Sequence, residues 1–159
     1  MAQQNYRGMD FEQYTEGFKD SLVCDDNQSN LKIISETLRD LKYNVAVSPD
    51  LENAFDRIRY NQFDVLVLNE TFGGGDPEKN ELLETFQTMP VNNRRRIFLA
   101  LIGNNYKTLD SMPAYIKSVN VVINVNDLPN LKVILSKAIS ENDQFYKVFK
   151  GIVAELGKT

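Results

Sequence analysis

Five short apolar runs, each followed by residues at helical spacing, constrain this 159-residue chain more than any other feature. Residues 21–24 (SLVC), 43–47 (YNVAV), 64–68 (DVLVL), 97–102 (IFLALI) and 121–125 (VVINV) read as strands. The third and fourth are continuous runs of leucine and β-branched or aromatic residues, the pattern of strands buried on both faces. Between the runs, apolar residues recur at helical spacing: Leu31, Ile34, Leu38 and Leu41, then Leu51, Ala54, Phe55 and Ile58, then Leu82, Leu83 and Phe86. Ser48 and Pro49 read as the cap and first turn of the second helix. Leu109, Met112, Ile116 and Val119 predict another helix, deformed by Pro113 unless that proline lies in its first turn. Strands alternating with helices imply an α/β fold, a doubly wound five-stranded parallel sheet covered on both faces.

Two segments lie outside that unit. Residues 1–19 form an N-terminal extension or linker, in which Phe11, Tyr14 and Phe18 have the spacing of a short helix. Residues 20–141 hold the α/β domain, and 142–159 a C-terminal helical extension. Leu131, Leu135, Ala138, Asn142, Phe145, Phe149, Ile152 and Leu156 keep alternating 4,3 spacing, as a heptad seam does. This helix either runs on to about Leu156 or breaks near Asn142. If it projects past the sheet, Phe145, Phe149, Ile152 and Leu156 form an apolar stripe that needs cover. A second copy of the chain, giving a homodimer, or the N-terminal segment would provide it; an unidentified protein partner is the remaining reading.

Composition excludes several functions. There is no histidine, which removes histidine general bases, Ser-His-Asp catalysis and histidine-ligated metals. The single cysteine, Cys24, falls in the first strand and reads as a small buried apolar residue. With 22 acidic and 18 basic residues the net charge is −4, so no nucleic-acid partner is expected. No apolar run approaches a membrane span and residues 1–10 lack a signal core, so the reading is of a cytoplasmic protein.

In such sheets, sites form at the carboxyl ends of the strands. After the first strand stand Asp25 and Asp26, and after the third stands Asn69. The sequence LVCDDN, then helix, strand, helix and FDVLVLN, resembles the receiver domain of two-component response regulators over residues 20–140. The resemblance implies strand order 2-1-3-4-5. It also implies a pocket in which an acidic pair helps to hold Mg²⁺ and an aspartate after strand three accepts a phosphoryl group. A hydroxyl after strand four and a lysine after strand five then bind the phosphoryl oxygens.

Here the acidic pair is Asp25 and Asp26, but Asn69 stands at the acceptor position. Leu101, give or take one residue, stands at the hydroxyl position, Asn124 at the lysine and Val121 at the switch aromatic. An amide lacks the anionic oxygen of a nucleophile and is a weaker magnesium ligand. The expectation is a degenerate pseudo-receiver: no enzyme, no cofactor beyond weak Mg²⁺ at Asp25 and Asp26, and action through protein contacts. Receiver-like domains often bind themselves or others through the face of helix four, strand five and helix five. The alternative is an atypical phospho-accepting or small-ligand-sensing regulator that uses the remaining acidic pocket.

Other features carry less. Glu70 adjoins Asn69 but points to the opposite face. Gly73, Gly74 and Gly75 form a flexible loop without the Lys-Ser/Thr pair of a phosphate loop. Without a metal, Asp25 and Asp26 are read as solvated, one of them capping the first helix. Arg94, Arg95 and Arg96 read as a solvated loop at the amino end of the sheet or as a docking patch for an acidic partner.

Overall fold

The computed structural model describes residues 14–157, together with the backbone pairing of Asn5–Tyr6 with Met9–Asp10. Its centre is one parallel sheet of β1 (Lys19–Cys24), β2 (Tyr43–Ser48), β3 (Val65–Asn69), β4 (Phe98–Gly103) and β5 (Val121–Asn124). The strand order is β2-β1-β3-β4-β5, as expected for the doubly wound arrangement. Register places Val67 between Val23 and Ala100, so Asn69 lies level with Ile102, while Gly103 lies level with Asn124.

Alternation of side chains across the pleat builds two cores. Val23, Val67, Ala100 and Ile123 face Ile34 and Leu38 of α1 (Gln28–Asp40) and Leu131 and Leu135 of α5 (Leu131–Gly157). Leu22, Leu66, Leu68, Leu99 and Leu101 face the other way. There they meet Ala54 of α2 (Leu51–Tyr60), Leu82, Leu83 and Phe86 of α3 (Glu81–Thr88), and Ala114 of α4 (Ser111–Lys117). Cys24 is fully buried in this second core, and burial pushes its thiol pKa up, so it is no nucleophile.

Local signals correct the sequence reading at the cap of α2 and decide between its alternatives at Pro113 and Asn142. The cap of α2 is Asp50, whose side chain accepts from the Asn53 N–H; Ser48 belongs to β2 and Pro49 precedes the cap. Pro113 lies in the first turn of α4, where its missing N–H costs no hydrogen bond. Met112 and Ile116 of that helix are exposed while Ala114 is buried. The long helix does not break at Asn142: α5 runs unbroken for 27 residues after the 3-10 turn Val125–Asn130.

Of the expected N-terminal helix, Phe11 lies outside the described residues. Tyr14 to Phe18 are not helical but form an extended start and a turn. Asn44 ties this stretch to β2, accepting from the Thr15 N–H and donating to the Thr15 and Phe18 carbonyls. Tyr14 packs against the core that α2 and α3 cover.

Candidate functional site

The chain order reverses between β1 and β3, and the carboxyl ends of these two strands carry Asp25 and Asn69. Ligands of open α/β sheets bind at this switch point. Asp25 is buried. Its Oδ1 accepts from the Asn27 N–H at 2.8 Å, and its Oδ2 accepts from Asn30 Nδ2 at 3.1 Å and Asn69 Nδ2 at 3.0 Å. The cap of α1 is neither aspartate but Asn27, which accepts from the Asn30 N–H at 2.9 Å.

Asn69 is held at its other end too. Its Oδ1 accepts from the Thr71 N–H at 3.0 Å and the Thr71 hydroxyl at 2.9 Å. One amide therefore spans from the Asp25 carboxylate to the start of the loop after β3. A carboxylate in its place would face Asp25 with no hydrogen between them, and two such groups coexist only with a proton or a cation shared. The Asn69 N–H supplies that positive edge without either.

The Asp25 and Asp26 pair is a poor match to a magnesium site. Mg²⁺ demands oxygens aimed at one point in near-octahedral geometry. Both Asp25 oxygens are turned to N–H donors and the Asn69 oxygen is turned to Thr71. Asp26 is exposed and accepts from the Gly73 N–H at 3.3 Å, which makes it the more accessible carboxylate of the pair. No group of three or more acidic or cysteine residues placed to hold a metal occurs among the described residues.

Leu101 does not reach the pocket. It is fully buried in the α2–α3 core and pairs with Leu68, one residue short of Asn69. The residue at the mouth of β4 is Gly103, level with Asn124. Neither it nor Ile102 offers a hydroxyl. Val121 is buried beside Ala100.

Asn124 is a tether. Its Nδ2 donates to the Tyr106 carbonyl at 2.7 Å and the Asn104 carbonyl at 3.3 Å, and its Oδ1 accepts from the Asn126 N–H at 2.9 Å. Its own N–H donates to the Thr108 hydroxyl, which in turn donates to Asp127. The loop between β4 and α4 is thereby tied to the end of β5.

Sequence reasoning missed a second buried group here. Glu70 points to the face opposite Asn69, as its position requires, and lies across Gly103. It is buried, and its Oε2 accepts from the Asn104 N–H at 3.2 Å. Burial raises the Tyr106 pKa, and the neighbouring Glu70 carboxylate, to which the Tyr106 hydroxyl donates, raises it further. Asn80 completes the ring: its Nδ2 donates to the Glu70 carbonyl at 2.9 Å while its Oδ1 caps α3 at Leu83. Only Gly103, which directly follows the fourth apolar run, hints in the sequence at a side chain crossing this edge.

The amino end of the sheet is more open. A groove of about 850 Å³ lies there, lined by Phe63, Ile97, Arg95, Arg96, Tyr146 and Phe149 among others. Arg94 is not part of a solvated loop, as the sequence suggested. Its guanidinium donates to the Ser118 carbonyl at 2.8 Å, the Ile97 carbonyl at 2.8 Å and Asn120 Oδ1 at 3.1 Å. Burial lowers its pKa. Arg95 lies over the ring of Phe149 at 5.3 Å, and Arg96 is exposed.

No family model matches the chain, and no curated protein matches it by sequence. Solved structures do match in fold. The receiver domain of the Francisella response regulator 1452 is 15% identical, with TM-score 0.60, over 77% of this chain and 98% of that one. A response regulator from Thermotoga maritima is 18% identical, with TM-score 0.58, over 77% and 98%. A CheY-like receiver domain protein from Methanospirillum hungatei JF-1 is 12% identical, with TM-score 0.61, over 80% and 98%. At these identities the likeness establishes the fold: the chain has the fold of response-regulator receiver domains.

Proposed function

We propose that this chain is a non-catalytic pseudo-receiver, a cytoplasmic signalling module that works through protein contacts and takes no phosphoryl group at position 69. The observation that carries this reading is the 3.0 Å bond from Asn69 Nδ2 to the Asp25 carboxylate. It puts an N–H donor where receiver chemistry needs a carboxylate nucleophile and a cation. Asn124, in place of a lysine, adds to it by spending its amide on the β4–α4 loop. In this reading Mg²⁺ binds weakly, through Asp26, and drives no step.

The contact surfaces follow from what the fold leaves uncovered. Met112, Tyr115 and Ile116 of α4 are exposed, and so are Phe145, Ile152 and Leu156 of α5. Clusters of this kind mark interaction sites more often than they occur by chance on a monomer. The reading of a C-terminal extension is supported by exposure: beyond Asn142, which is bonded to Asn120, the side chains of α5 are mostly exposed.

The test is intact mass after incubation with Mg²⁺ and acetyl phosphate. The native chain is expected to show no adduct. A single phosphate on it would overturn the proposal in favour of an acceptor elsewhere in the acidic pocket. Thermal shift against small anions checks the ligand-sensing alternative, because a ligand at about 100 times its dissociation constant adds about 2.7 kcal/mol of stability.

A further inference from the structure

The C-terminal half of α5 has a symmetry that the seam spacing alone does not reveal. Its apolar residues beyond Asp143, alanine and tyrosine aside, are Phe145, Val148, Phe149, Ile152, Val153 and Leu156. Phe145 and Leu156 are equidistant from a point between Lys150 and Gly151. So are Val148 and Val153, and so are Phe149 and Ile152. The set maps onto itself when the helix is reversed about that point. An isologous contact between two copies needs this, because the same patch must serve both sides.

We infer that the chain forms a homodimer in which the projecting halves of α5 pair antiparallel about a two-fold axis between Lys150 and Gly151. Phe145 then lies level with the partner's Leu156, and Phe149 with the partner's Ile152. In heptad terms each a position faces a d position, as an antiparallel seam requires. The side chains are exposed: Phe145 is 63% exposed, Ile152 54% and Leu156 66%. Phe149 is half-buried under Arg95, which seals the domain-facing side of the seam.

Charge argues for a second copy over a foreign partner. Between Asp143 and Gly157 the charged residues are Asp143, Lys147, Lys150 and Glu155, two of each sign. The stripe neither repels its own copy nor selects a strongly acidic or basic protein. Sterics agree. The pairing overlaps residues 144–157 of each copy, about 20 Å of helix, and starts just after Asn142, whose side chain is hydrogen-bonded to Asn120. The last turn of one helix therefore lies beside Phe145 of its partner, a side chain that the domain leaves exposed. Six apolar side chains at roughly 80–100 Å² each bury about 1,000 Å² over the pair, the lower bound for a specific interface. Affinity is expected in the micromolar range.

The inference rests on the contact-module reading only for its purpose. The phosphodonor experiment judges the pocket by mass, whereas this one is judged by assembly, so either can fail alone. Sedimentation velocity on the full chain across about 5–200 µM is expected to show a monomer–dimer equilibrium. The double variant Ile152→Glu, Leu156→Glu, at exposed positions, is expected to be monomeric with unchanged circular dichroism at 222 nm relative to the diluted native chain. Orientation is read by mixing Phe145→Cys with Leu156→Cys and oxidising: the heterodisulfide is expected to dominate. Three results would overturn the inference: a native monomer at every concentration, a dimer indifferent to the two glutamates, or homodisulfides in excess.

Discussion

An amide at position 69 changes the electrostatics of the whole strand edge, because Asp25 is buried and needs donors. Asn69→Asp sets two carboxylates about 3 Å apart. We predict a loss of about 1–3 kcal/mol near neutral pH. One carboxyl of the pair then has a folded pKa above its unfolded value. The shared proton is held more tightly in the folded state, so the penalty is absent at low pH and appears as pH rises through the unfolded value near 4. Urea midpoints at pH 4 and pH 7.5 check this, with Mg²⁺ expected to restore part of the loss; equal midpoints for variant and native chain would contradict it. Tyr106 works in the same direction. Its raised pKa means that the folded chain holds the phenolic proton more tightly, so that contribution is intact below about pH 10 and is lost as pH rises further. Tyr106→Phe is predicted to cost about 1–2 kcal/mol at pH 7 and to flatten the alkaline fall in stability. Gly103→Ala would drive a methyl group into the Glu70 carboxylate, and a loss of about 1–3 kcal/mol in chemical denaturation is expected.

Elements show where periodicity is informative and where it is silent. The five strands and the helices between them were legible because burial on one or two faces imposes a period. The end of the core along α5 was not. Leu131 and Leu135, which are buried, and Ile152 and Leu156, which are not, occupy one continuous seam. Spacing records which face is apolar and says nothing of what covers it. The loop between β4 and α4 was equally opaque, since its order comes from Asn124, Thr108 and Glu70, residues distant in sequence. Asn124→Ala removes a cap and two tethers. It is predicted to cost about 1–3 kcal/mol and to speed amide hydrogen exchange across residues 104–110. Unchanged exchange there would mean that Glu70 and Thr108 hold the loop without the Asn124 amide.

Across the whole molecule the two ends of the sheet have opposite characters. The carboxyl end is closed by side-chain amides and two buried carboxylates, Asp25 and Glu70, while the amino end carries a groove and a helix that runs on past it. The sequence revealed the first half of this contrast through Asp25, Asp26 and Asn69. It placed the hydroxyl position only to within a residue of Leu101, because strand register, which sets Ile102 level with Asn69 and makes Gly103 the edge residue, is not written in an unbroken apolar run. It missed Glu70 with Tyr106 because a pair formed across two loops has no spacing signature. The central claim is that this edge is a single hydrogen-bonded lattice that does not respond to a phosphoryl group. Amide nuclear magnetic resonance of the native chain, titrated with Mg²⁺ and then beryllofluoride as a phosphoryl mimic, tests it most directly. The account predicts no saturable shifts at Asn69, Thr71, Gly103, Asn104 or Asn124. Saturable shifts propagating from Asn69 to Asn124 would contradict it.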